Sequence, residues 1–356
     1  MRRLVGQPVD WEAVLRLADD HGTSSLLYQN LSRLGDEVPS DVLALLRERY
    51  ERNVHKTLVL AGELIRILDS MDALGVEAVP YKGIVLSEVY YGDMAMRQSG
   101  DMDLFIRGRD LGRIKSAVCE LGYAPRVPIR EEAEEDYIAS GYECTFDSSL
   151  GRNLLELQWA LQPRFYAVDY DMDGLLARAV NVTVAGRGVK TPSPEDLLLV
   201  LSVHAAKHVW ARLIWLCDIA QILKRENLNW DWVEGQAREL GIERILRVTL
   251  LLTRDLLGAT IPAAMVEAMR DQVACGFADE IAAGMARGVT HDVEQVSYFR
   301  LMMRLRERRA DRLRFLARLT FTPGPGEWEA VRLPRVLFPL YRVVRLGRLA
   351  GRLARG

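Results

Sequence analysis

Cysteine and histidine are scarce: the 356-residue chain holds four of the first and five of the second. Cys119, Cys144, Cys217 and Cys275 lie far apart, so the CxxC pair of a zinc or redox site is missing. Their scatter fits reduced thiols. Long apolar runs are missing too. Leu197 to Val203 is seven residues and already contains Ser202, against the roughly 20 that span a bilayer. The N-terminus, MRRLVGQPVDWEAVL, has two arginines and no apolar stretch behind them, so a secretory signal is not expected. These absences predict a cytoplasmic protein without a membrane span. Net charge is also nearly absent, with 47 Lys+Arg against 49 Asp+Glu. At 49% hydrophobic and 27% charged residues, general disorder is excluded. A chain this long buries a sizeable core without staples, and its length suits about two domains.

Charge is nevertheless unevenly placed. Ser297 to Gly356 carries 15 Arg, no Lys and four acids, which makes the tail +11 and the preceding body −13. Such a tail suggests a polyanion partner or an intramolecular clasp. Its apolar residues interleave with arginine at helical spacing, as in Arg312-Leu313-Arg314-Phe315-Leu316. That pattern favours amphipathic helices packed on their own protein.

The pattern along the chain divides it into four stretches: a helical segment at 1–75, a mixed segment at 76–190, a helical lobe at 191–296 and the basic helical tail at 297–356. Pro39-Ser40-Asp41 reads as a helix start with Ser40 as N-cap, and Gly75 as its stop. Short strands are expected at 76–81, 101–106, 123–127, 142–147 and 153–159. Short helices are expected at 84–91 and 111–121. The acid-rich 131–136 reads as a solvated helix start or loop. Asn181 to Thr191 reads as a hairpin bending at Gly186-Arg187-Gly188. Thr191-Pro192-Ser193-Pro194 opens the helical lobe, and 322–326 breaks the tail in two. Helices, then mixed structure, then helices predict an α+β fold rather than a doubly wound sheet.

The most informative stretch is Tyr81 to Ile106, YKGIVLSEVYYGDMAMRQSGDMDLFI. Asp101 and Asp103 are two apart on an expected strand, so both carboxylates share one face. Two like charges side by side call for a cation. Mg²⁺ takes carboxylate and phosphate oxygens together. Upstream, Lys82-Gly83 joins a strand to a helix, where the glycine permits close approach and free N–H groups suit a phosphate. Arg97 and Ser99 stand just before the acidic strand, in position to hold a triphosphate.

In this order (Lys-Gly, then Arg97 to Asp103, then Glu156-Leu157-Gln158-Trp159) the chain resembles the bacterial uncharacterised nucleotidyltransferase family of the DNA polymerase β-like superfamily. The Lys-Gly start also resembles abortive-infection nucleotidyltransferase toxins. Downstream, Pro194-Glu195-Asp196-Leu197, His204 to His208, Trp215 and Asp218-Ile219-Ala220 resemble the family's helical lobe, and Leu333-Pro334 and Leu340-Tyr341-Arg342 resemble its C-terminal stretch. The resemblance implies a polymerase β-like core. It also implies transfer of a nucleoside monophosphate from an NTP such as ATP to an acceptor hydroxyl or phosphate, with release of pyrophosphate. Two Mg²⁺ ions, or Mn²⁺ in their place, would be held by Asp101, Asp103 and Glu156, with Glu156 able to receive the acceptor's proton. Lys82, Gly83, Arg97, Ser99 and Lys207 would position the phosphates. The acceptor could be a small molecule, a peptide or RNA. A degenerate scaffold without turnover is the alternative. Two departures stand out: Gly83 is followed by Ile84 rather than Ser or Gly, and Gln158 stands where relatives often have His.

Other candidates carry less. His204 and His208 are four apart on a helix, but no third ligand accompanies them, so they pack or line the nucleotide cleft. Asp218, among apolar neighbours, is expected to be buried and paired with Arg212 or Lys207. Trp159, Tyr166 and Tyr170 could stack on a base, but core packing is the commoner use of such residues. Walker A, Rossmann and GxSxG motifs are absent.

Overall fold

The computed structural model describes residues 2–128, 131–149, 154–268, 271–288, 296–322, 327, 330–331 and 333–353. The N-terminal part is helical: α1 (Trp11–Asp20), α2 (Ser24–Leu31) and the 34-residue α3 (Ser40–Ala73). Pro39, not Ser40, sits at the N-cap of α3. Ser40 is its first helical residue, because proline's fixed φ of −53° suits the entry and its ψ of 135° is extended. At the other end Gly75, at φ +63°, reverses the chain as its lack of Cβ allows.

A five-stranded sheet follows, built from β1 (Ala78–Pro80), β2 (Asp101–Ile106), β3 (Tyr123–Pro125), β4 (Glu143–Ser148) and β5 (Leu154–Gln158). Helix α4 (Leu111–Glu120) links β2 to β3, and α5 (Glu131–Ser140) links β3 to β4. The acid-rich 131–136 is therefore the start of a ten-residue helix. The strand order is β1-β2-β5-β4-β3, with β2 and β5 parallel and the other neighbours antiparallel. The fold is α+β, with a mixed sheet between helical segments. The expected helix at 84–91 splits into one α-turn, Ile84–Leu86, and a wider π-turn, Ser87–Tyr91. The hairpin of β6 (Val180–Val184) and β7 (Arg187–Thr191) turns at Ala185-Gly186, one step earlier than expected. Both turn residues have positive φ, 49° and 78°, the two-residue geometry that matches strand twist.

Alternation gives the sheet two unlike faces. Met102, Leu104, Ile106, Leu155, Leu157 and Phe146 point one way. They pack on Leu64, Ile67 and Met71 of α3 and on Ile114 and Val118 of α4. Asp101, Asp103, Phe105, Glu156 and Gln158 point the other way, toward the second helical part. There α6 (Pro194–Lys207), α7 (Leu213–Arg225), α8 (Trp230–Leu240), α9 (Glu243–Leu257) and α10 (Gln272–Ala286) share a separate apolar core. Helix α6 runs through its middle and is buried on nearly every side. The Ser193 side chain caps it by accepting from the Asp196 amide.

The tail supplies α11 (Val296–Arg304), α12 (Arg309–Phe321) and α13 (Tyr341–Leu353). Most of the expected break at 322–326 lies outside the described residues. Several tail arginines are engaged within the chain. Arg306 is 2% exposed and donates to the carbonyls of Tyr166 (2.6 Å) and Gly241 (3.2 Å). Arg318 forks onto Asp169 at 2.6 and 2.7 Å, and Arg345 meets Glu327 at 3.3 Å. No helix among the described residues is long and apolar enough to cross a membrane.

Replacement of a side chain at the sheet's packed face has a clear expected cost. Leu104 is wholly buried, whereas Leu313 is 67% exposed. Leu104→Ala is expected to lower unfolding free energy by about 2–5 kcal/mol and Leu313→Ala by under about 0.5 kcal/mol. Urea unfolding of the two variants checks this; equal losses would contradict the packing.

Candidate active site

The parallel register of β2 and β5 sets Asp103 directly opposite Glu156, with Asp101 opposite Leu154. In antiparallel β4, Glu143 faces Gln158 and Thr145 faces Glu156. The polar face thus carries Asp101, Asp103, Glu156 and a fourth carboxylate, Glu143. Helices α6 and α7 close over it and leave a cavity of about 490 Å³. Its lining includes Lys82, Asp101, Glu143, Glu156, Lys207 and Trp215.

Lys82 does not stand free. Its ammonium donates to Asp103 Oδ1 at 2.8 Å, and both side chains are nearly inaccessible. Burial works against the charged ammonium, yet Asp103, with Tyr81 and Glu156 behind it, holds its pKa above that of a free lysine. The other oxygen, Asp103 Oδ2, is buried and accepts no hydrogen bond. An unsatisfied carboxylate oxygen is costly, so it is a ready partner for a cation or donor. The Glu156 carboxyl is pushed up to about 8, first by burial and then by Asp103 and Glu143, with Lys82 opposing. Gln158 ties the group together. It accepts from Tyr81 Oη at 2.7 Å and donates to Glu156 Oε2 at 3.1 Å and Glu143 Oε2 at 3.3 Å. The glutamine that replaces histidine is therefore a bridge between two acids.

Gly83 has φ +57°, and a Cβ there would stand 2.8 Å from Ser99 Oγ. Glycine is needed for both conformation and room. Ser99 turns inward, donating to the Asp101 carbonyl at 3.1 Å. Arg97 is engaged within the chain: its Nε lies 2.9 and 3.0 Å from the two Asp218 oxygens, and both residues are buried. Burial disfavours the Arg97 guanidinium and the Asp218 carboxylate more than restores it. Asp218 also accepts from Tyr91 Oη at 2.8 Å. Asp218 is thus buried and paired as expected, but with Arg97 and Tyr91, not with Arg212 or Lys207. The pair fastens α7 to the loop before β2, so Arg97 acts as a strut at the cavity's edge.

The C-terminal end of α6 delivers the remaining groups. Lys207 donates to Tyr142 Oη at 3.2 Å and lies over that ring. Burial lowers its pKa from the usual lysine value. His204, His208 and Trp215 form a ring cluster with centroids 4.9–5.2 Å apart. Burial, with Lys207 and Lys82 nearby, pushes His208 down to about 3, and burial and Lys82 push His204 well below its ordinary value. Both rings are therefore held in the neutral form. Beyond them Val209 and Trp210 both have positive φ, 52° and 48°. Such strain persists only where packing enforces it. Trp210 is fully buried and donates to Thr249 Oγ1 at 2.9 Å. Trp159, Tyr166 and Tyr170 belong to the apolar cores rather than to the cavity.

The all-carboxylate donor set and the unpartnered Asp103 Oδ2 fit a hard divalent cation in chemistry. Among the described residues, no three acid, His or Cys side chains are gathered closely enough to hold one as they stand. Glu143 is a member that motif reading passed over, and Trp215 was read with the helical lobe but not as part of the site. The signal for Glu143 was its alternation with Cys144 and Phe146. For Trp215 the signal was its place in the stretch that resembles the family's helical lobe.

A model of the uncharacterised nucleotidyltransferase family matches residues 7–258. No curated protein matches. Among solved structures, the crystal structure of ANT(2'')-Ia in complex with adenylyl-2''-tobramycin is 16% identical. It covers 51% of this chain and 97% of its own, with a TM-score of 0.37. A nucleotidyltransferase-like antigenic protein from Paracoccidioides brasiliensis is 15% identical over 60% of this chain and 91% of its own, with a TM-score of 0.36. These scores are too low for superposition to assign a residue role.

Two outcomes follow from the electrostatics. Asp218→Ala leaves the Arg97 guanidinium buried without its partner and is expected to cost about 3–5 kcal/mol in denaturant unfolding. Glu156 has a folded pKa raised above its ordinary 4.5, so it favours folding only while protonated. That contribution is full below pH 4.5 and is lost as pH rises toward 8. Without divalent metal, Glu156→Gln should match wild type near pH 4 and exceed its melting temperature increasingly up to pH 8. A gap constant with pH would contradict the burial of this carboxyl.

Proposed function

The chain belongs to the uncharacterised nucleotidyltransferase family, and from that premise we propose that it is a Mg²⁺-dependent enzyme. It moves a nucleoside monophosphate from an NTP to an acceptor hydroxyl and releases pyrophosphate. The observation that carries this reading is the pairing of Asp103 with Glu156 across one strand pair, at the wall of a cavity lined by Asp101, Glu156, Lys82 and Lys207.

The acceptor oxygen bonds to the α-phosphorus while the bond from that phosphorus to the bridging β-oxygen breaks. Pyrophosphate leaves with the electron pair, and the hydroxyl's proton passes to the Glu156 carboxylate, the form that a bound cation would favour over the protonated one. Asp101, Asp103 and Glu156 would hold Mg²⁺, which when bound neutralises phosphate charge and polarises the reacting phosphoryl group. Lys82 pairs with one oxygen of Asp103, and the other, though buried, accepts no hydrogen bond. Gln158 fixes the Glu156 carboxyl toward the cavity. Lys207 offers a cation, or when deprotonated a weaker donor, to the phosphates from the helical side. Its partial burial makes each contact stronger than it would be in water. Trp215 and His208 supply flat, uncharged surface for a base. Positioning and charge compensation account for most of what such a site must do.

A reading without turnover is supported by one feature: the Lys82 ammonium already sits where a cation compensates Asp103. One measurement separates the two. Thermal unfolding is followed with ATP, GTP, CTP and UTP, each with Mg²⁺ and with EDTA, in wild type and in Asp101→Asn/Asp103→Asn. A ligand at a hundredfold excess over Kd adds about 2.7 kcal/mol, a rise of several degrees. The expected result is a Mg²⁺-dependent rise with at least one NTP, absent in the double variant. No rise with any NTP in folded protein would remove the transferase reading.

A further inference from the structure

A second cleft, of about 590 Å³, opens beside the carboxylate cavity. The two share Ser99, Gly100 and Arg212, and the residue after Gly100 is Asp101. The floor of the cleft is the N-terminal half of α3, which presents Arg49, Arg52 and Lys56 along one side. At 1.5 Å per residue these three span about 10 Å along the helix axis. Arg49 is paired with Asp19 at 3.0 Å. Arg52 is exposed and only loosely near Glu48, at 3.8 Å between two exposed side chains. Lys56 and Arg212 are exposed and make no side-chain hydrogen bond or ion pair among the described residues. Among the described residues Asp19 is the single acid in the lining.

The far wall is also built, not incidental. His21 accepts the Leu213 amide at its Nδ1, and its carbonyl accepts the Ile214 amide, both at 3.2 Å. These contacts dock the turn between α1 and α2 onto the start of α7, next to Arg212. The N-terminal helices and the helical lobe thus complete one groove that ends at the carboxylates.

The basic tail was the obvious place for a polyanion, but Arg306, Arg318 and Arg345 are engaged within the chain. The exposed cations that lead into the cavity are instead Arg52, whose nearest acid is Glu48 at 3.8 Å, and Lys56 and Arg212. A single phosphate reaches one or two of them, whereas a strand with repeated phosphates reaches all three. We propose that this groove seats one strand of nucleic acid, the acceptor whose terminal hydroxyl reaches the carboxylate site. This rests on the transferase reading for its chemistry, but its test involves no turnover.

The probes are fluorescein-labelled 12-nucleotide single strands of RNA and of DNA, followed by anisotropy with the full chain in the absence of NTP and Mg²⁺. Three phosphate contacts on a single strand give a slope of log K against log salt of about −2, a loss of roughly fifteenfold between 50 and 200 mM salt. Arg52→Ala/Lys56→Ala, both at exposed positions, should weaken binding at least tenfold at 50 mM salt. The slope should fall to about −0.7, for a loss of roughly threefold over the same range. Arg309→Ala/Arg314→Ala in the tail should leave affinity as in wild type. A preference between RNA and DNA supports the proposal and names the strand. No binding at 50 mM salt, unchanged affinity in the α3 variant, loss in the tail variant instead, or equal displacement by AMP at matched concentration would each overturn it. NTP binding, read separately by thermal shift, tells failure of this proposal from failure of the transferase reading.

Discussion

The parallel pairing of β2 with β5 is the constraint on which the site depends. Side chains alternate with period two, so a one-residue slip would turn Asp103 into the core and Leu104 into the cavity. The register is held from both sides. Leu104 and Leu157 are wholly buried against α3 and α4. On the opposite face Phe105 stacks on Tyr81 at 3.9 Å between ring centroids. Apolar packing therefore determines where the carboxylates point. The carboxylates contribute little to that choice, since their mutual repulsion opposes it.

Bringing those acids together carries an electrostatic cost, and the surrounding residues show how it is offset. Lys82 compensates Asp103 directly. Gln158, a neutral side chain with both donor and acceptor, lets Glu143 and Glu156 lie near one another. Glu156 responds by holding its proton to about pH 8. The pair of Arg97 with Asp218 is of another kind. It lies outside the acid cluster and ties α7 to the loop that leads into β2. A buried, hydrogen-bonded pair of this sort specifies an arrangement more than it stabilises one.

The helical parts act through what they bring to the sheet's polar face. Helix α6, buried on nearly every side, carries Lys207 and the two histidines to the cavity from the lobe's core. The strained turn at Val209 and Trp210 redirects the chain toward Arg212, which lines both the cavity and the neighbouring groove. The N-terminal helices reach the same place from the other direction through His21. Three sequence-distant segments therefore converge at one mouth.

The sequence by itself determined the α+β class, strand β2 to the residue, the two-residue spacing of Asp101 and Asp103, and the glycine at position 83. Each is a local matter: strand alternation, a pair of like charges, a backbone angle that only glycine takes readily. It also marked Asp218 as buried and paired, because a carboxylate among apolar neighbours has little alternative. The choice of its partner was beyond local reading. Arg97 and Asp218 are 121 positions apart, and their meeting depends on how α7 docks against the sheet. The same holds for the Lys82–Asp103 pair, the bridging of Gln158, the inclusion of Glu143 and Trp215 in the site, and the internal engagement of tail arginines. These are relations between segments, set by packing of two cores against opposite faces of one sheet, and no pattern within a single segment encodes them.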